Sequence, residues 1–145
     1  MIFISGCDHD DKENVSFNKH IGNWKTFCFS DDVVPYWVIT EYEFTEEGFR
    51  QIVFQFEDSD CTNPYGASGL PGISEGTYRF KEQITSTSGL DVEILDMTWF
   101  HYNSNEVSWR GDIGIYVDND VLYIANAGSN GLYEINFDVP FYSKQ

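Results

Sequence analysis

Three histidines, three cysteines and 24 carboxylates are the side chains of this 145-residue chain whose chemistry could support a site. His9 and His20 fall in or near a charged N-terminal stretch, and His101 ends a strand-like run. A serine–histidine–acid relay needs a positioned nucleophile, and no nucleophile-elbow sequence surrounds any serine. A single histidine at a strand end therefore reads as structural. Glu41 and Glu43 are two residues apart, which puts both on one side of an extended strand. A glycosidase pair shares that geometry, but so does any solvated strand face, and the solvated face is the reading adopted. The clusters Asp8-Asp10-Asp11, Asp58-Asp60 and Asp118-Asn119-Asp120 offer the oxygen ligands that calcium prefers. None follows the EF-hand loop, and the last reads as a hairpin turn. Cys7, Cys28 and Cys61 lack the close-pair spacing of a zinc site. The chain is read as non-enzymatic, with no metal and no cofactor.

Aromatic residues make up 17% of the chain, and four of them, Trp37, Trp99, Tyr102 and Trp109, are the tentative ligand-binding residues. On alternating strand positions such rings normally fill a core. In a barrel wide enough to keep a cavity, they would line a site for an apolar or ring-bearing molecule. Facing outward, they would instead form a patch for a glycan or a partner protein.

The elements that must position these residues read as strands. Runs of aromatic and β-branched residues at 24–29, 36–44, 49–57, 76–85, 91–102, 108–117, 121–126 and 133–139 are separated by turn residues. Thr45-Glu46-Glu47-Gly48 is a tight hairpin connection. Residues 58–75 form a long loop, at about 18 residues either functional or pinned by a covalent bond. Helical periodicity is missing throughout. About eight sequential antiparallel strands favour an up-and-down barrel or a sandwich, and closure into a barrel suits a sequence with few edge-blocking lysines. The expected fold is all-β: one antiparallel up-and-down β-barrel over residues 15–145.

A net charge of −16 and a pI near 4.2 repel phosphate backbones, so nucleic-acid binding is excluded. No apolar run approaches the roughly 18–20 residues that span a bilayer, so any membrane attachment must be covalent. Ile4-Ser5-Gly6-Cys7 resembles the lipobox of bacterial lipoproteins, in which small residues precede a cysteine that receives diacylglycerol. Only Met1 to Ile4 precede the small pair, so residues 1–14 read as a truncated signal and a polar tether. With Cys7 lipidated, Cys28 and Cys61 remain as an even pair for an oxidising compartment, and a disulfide between them is expected. The alternative is two buried reduced thiols in a cytosolic protein.

Gly22-Asn23-Trp24 at the start of the first strand resembles the G-x-W of lipocalins and related calycins, whose tryptophan closes the barrel base. Phe44 to Gly48 and Gly76-Thr77-Tyr78 look like the hairpin and G-x-Y strand of bacterial lipocalin-like lipoproteins. Trp24 to Cys28 and Asp58-Ser59-Asp60-Cys61-Thr62 are similar to elements of a group of small proteobacterial lipoproteins. The usual late arginine that stacks on the motif tryptophan is missing, since none follows Arg110. The resemblance implies a lipid-anchored cell-envelope protein, periplasmic or on the outer face, whose barrel binds a small hydrophobic molecule. The alternative is an envelope structural or protein/glycan interaction module with a solid core.

Overall fold

The computed structural model describes residues 18–30, 33–101 and 103–144. Among them are ten strands and no helix: β1 (Gly22–Thr26), β2 (Phe29–Ser30), β3 (Trp37–Phe44), β4 (Phe49–Phe56), β5 (Gly72–Thr85), β6 (Asp91–Phe100), β7 (Val107–Asp118), β8 (Val121–Ala127), β9 (Tyr133–Ile135) and β10 (Phe141–Ser143). From β3 to β8 each strand pairs antiparallel with the next. Strand β8 then pairs β10, β10 pairs β1, and β1 pairs β3, which closes an eight-stranded barrel. Strands β2 and β9 lie outside the ring and extend the edges of β3 and β8.

Period-two burial forms these elements. In β3, Val38, Thr40, Tyr42 and Phe44 are buried while the residues between them are more exposed, the pattern of a strand with one face on a core. The β3–β4 hairpin closes through Thr45, whose hydroxyl accepts the Glu47 and Gly48 amides. Asn119 at φ 52° and Gly89 at φ 79° supply the left-handed residues that the β7–β8 and β5–β6 turns need.

Trp24, Tyr42, Phe44, Phe49, Leu95, Met97, Ile115, Leu122 and Phe141 fill the barrel interior. Val92 and Ile94 point to the opposite face of β6 and form a second cluster with Ala125 and Ile135. Gly114 makes that packing close, because a Cβ there would lie 2.8 Å from Val92 and 2.9 Å from Ala125. The tip of the β5–β6 hairpin reaches this outer cluster, the Thr87 amide donating to the Tyr133 carbonyl.

The barrel agrees with the sequence reading; most strand ends differ by one or two residues, and three strands differ by more. The expected first strand, 24–29, is broken at Phe27 and Cys28 into β1 and β2. The expected loop 58–75 ends earlier, because β5 starts at Gly72 and extends the pairing with β4. The expected last strand, 133–139, is β9 alone and lies off the ring. The closing strand is Phe141–Ser143, just after Pro140, which has no amide to donate.

Candidate functional site

The described connecting residues 33–36, 57–71, 103–106 and 128–132 come after β2, β4, β6 and β8, so the up-and-down order places them at one end of the barrel. The opposite end is closed. Trp24 and Phe44 are buried there, and the His20 ring lies edge-on to Phe44 and Tyr78, with centroids 5.5 and 5.1 Å away. Gly22 starts β1 opposite Phe44, and Trp24 follows it two residues later as a buried side chain. His20 ends the turn that enters β1. It is buried, and its Nδ1 lies 3.1 Å from Glu93 Oε2.

Two clefts mark the other, open end. One, of about 330 Å³, is lined by Tyr42, Gln51, Ser74, Trp99, Ser108 and Trp109. The register explains the grouping, since Trp99 pairs directly with Trp109, and Tyr42 with Gln51 and then Ser74. The Trp99 ring packs edge-on to Phe49 at 4.4 Å, while Trp109 keeps 46% of its surface exposed. Its indole lies over Gly111, where a Cβ would come within 2.3 Å of the ring. Gln51 donates to the Tyr42 hydroxyl at 2.8 Å. That phenol is buried, and burial pushes its pKa far up, so it stays neutral.

The second cleft, of about 480 Å³, opens at the barrel seam. Strand β1 pairs β10 only from Trp24↔Ser143 to Thr26↔Phe141. Beyond Thr26 the ladder parts, β2 staying with β3 and β9 with β8. Phe29, Ile124, Val139 and Phe141 give the gap an apolar floor, and Ser30, Asn126, Asn136 and Asp138 give it a polar rim.

Cys28 and Cys61 are joined in a disulfide with a Cα–Cα distance of 5.9 Å. It ties the break between β1 and β2 to the long β4–β5 connection, where Tyr36 and Tyr65 also meet at 5.1 Å. Asp58 organises the start of that connection, accepting the Thr62 hydroxyl and the Thr62 and Asn63 amides. The Thr62 hydroxyl, followed by the Asn63 amide, holds its carboxyl below the usual range. This explains Asp58 as loop architecture.

Of the four candidate aromatics, the structure brings Trp99 and Trp109 together. Trp37 is separate, on the outer face of β3 opposite Phe56. Tyr102 lies outside the described residues, as do Cys7 and His9. His101 is exposed. Glu41 and Glu43 lie on the outer face of β3, and Glu41 binds Lys25 and Lys144 at 3.2 and 2.7 Å. No group of three or more metal-ligating side chains occurs among the described residues. The seam cleft escapes sequence reasoning because its floor comes from three separate segments. The break at Phe27-Cys28 and Pro140 were its local signals. Comparison with protein-family models, curated proteins and solved structures finds no match for this chain.

Proposed function

We propose that this chain is a non-enzymatic, lipid-anchored interaction module of the bacterial cell envelope that meets its partner with the open end of the barrel. One observation carries the reading. The interior is occupied by its own buried side chains, while exposed aromatic and apolar residues gather around one end. A filled barrel has little room for a carried molecule, so recognition falls to the surface. The lipid anchor rests on the lipobox-like Ile4 to Cys7, and the disulfide suits an oxidising compartment.

Carriage of a small hydrophobic molecule is the second reading, favoured by the apolar floor of the seam cleft. Native mass spectrometry of the protein purified from its own membrane separates the two. A diacylglyceryl mass on Cys7, an intact disulfide and no retained small molecule support the interaction module. A stoichiometric apolar molecule released on denaturation favours carriage. An unmodified Cys7 on the membrane-purified chain overturns the anchor.

A further inference from the structure

Resting on the reading of the open end as the working face, we propose that this end docks on a partner protein surface with an apolar centre and cationic side chains. Every exposed large hydrophobic among the described residues except Phe80 lies at this end or beside the seam. Tyr65, Leu70, Val107 and Leu132 are in or next to the rim connections, Trp109 follows at the start of β7, and Phe27 and Phe137 flank the seam. Leu70 and Phe27 keep 79% and 70% of their surface in contact with solvent. Scattered apolar residues are ordinary on a protein surface, but their gathering at one end marks an interaction face.

Charge selects the partner. Residues 27–36, 57–71, 101–108 and 127–140 contain no lysine or arginine. In sequence they carry Asp31, Asp32, Glu57, Asp58, Asp60, Glu106, Glu134 and Asp138. The basic residues seen in ion pairs lie outside these segments, as in Arg50–Glu75, Arg79–Asp96, Lys81–Asp112 and Lys25–Glu41, and exposed Arg110, next to Trp109, is one cation against this acidic excess. A rim of this kind repels anionic lipid headgroups and a second copy of itself, and it complements lysine and arginine. The seam cleft has the form of an anchor pocket for such a side chain. The aliphatic stem would lie on Phe29, Ile124 and Phe141 while the charged head meets Asp138.

The test titrates the full chain, by calorimetry, with alternating Lys-Leu and Lys-Ser peptides of equal charge, an uncharged Gln-Leu peptide and phosphatidylcholine vesicles. Lys-Leu is expected to bind about tenfold tighter than Lys-Ser, and Leu70→Ser with Leu132→Ser is expected to erase that difference. Asp138→Asn is expected to weaken Lys-Leu by about threefold and leave Gln-Leu unchanged. Circular dichroism and the disulfide mass check that the variants are folded. Equal binding of Lys-Leu and Lys-Ser, preference for vesicles, or self-association that occupies the face overturns the proposal. If Gln-Leu binds as tightly as Lys-Leu and the leucine variants abolish both, the cationic partner is wrong and the open-end reading stands. If the variants change no titration, both fail.

Discussion

The indole Nε1 of Trp24 donates a 2.7 Å hydrogen bond to the backbone carbonyl of His20, four residues earlier. This contact binds the entry turn to the barrel base, where His20 meets Glu93, Phe44 and Tyr78. Trp24→Phe keeps an aromatic ring but leaves a buried carbonyl without its donor and a gap beside it. The expected cost is about 2 kcal/mol, read as a lower urea midpoint with an unchanged slope.

Replacing both cysteines with serine tests the staple at the open end. The disulfide spans 33 residues of sequence, and loop-entropy bookkeeping puts its contribution at about 3–4 kcal/mol. The doubly substituted chain is expected to unfold at lower denaturant while keeping its β-sheet circular dichroism, because the bond lies outside the barrel ring.

Glu41 ties β3 to β1 through Lys25 and to the chain after β10 through Lys144. Burial acts to raise its pKa, but the hydrogen bonds and charges of Lys144 and Lys25 outweigh it and hold the carboxyl below its usual value. A depressed folded-state pKa means stability that is present above the unfolded value, about 4.3, and is lost as pH falls through the folded one. Both lysines are well exposed, so the contribution at neutral pH is only about 0.5 kcal/mol. Glu41→Gln is therefore expected to lower stability at pH 7 by that amount and to converge with the parent chain in acid, as measured by denaturation across pH.

Gly76 is a packing requirement of the β4–β5–β6 register. A Cβ there would lie 2.1 Å from the Thr98 carbonyl oxygen and 2.6 Å from the Phe49 ring. Backbone cannot yield as a flexible side chain would, so Gly76→Ala is expected to cost about 3 kcal/mol. Gly72→Ala in the same strand is the control. Its nearest contact would be the Val53 carbonyl at 3.9 Å, an ordinary distance, and thermal denaturation should separate the two variants clearly.

The strands best read from the chain were those whose burial alternates over many residues. Val38, Thr40, Tyr42 and Phe44 repeat at the period of a half-buried strand, and Thr45 to Gly48 carries its own hairpin hydrogen bonds. Both are local properties and survive without knowledge of the neighbours. Trp99 and Trp109 were legible as candidates because they are large aromatics in strand-like runs. Their direct pairing was not, since it depends on the register shift between β6 and β7. The role of His20 at the barrel base was not legible, because nothing within a few residues of it reveals Glu93, 73 positions later.

Residue types and their period-two spacing determined that this chain forms antiparallel sheet, where most of its turns fall, and that its surface is strongly acidic. Barrel closure was decided elsewhere. Phe141–Ser143 is only three residues long, too short to show a period, and it is held as a strand by β1 on one side and β8 on the other. The parting of the seam and the gathering of exposed apolar residues at one end arise in the same way. They depend on which distant backbone segments share hydrogen bonds, and that is settled only when the sheet closes on itself.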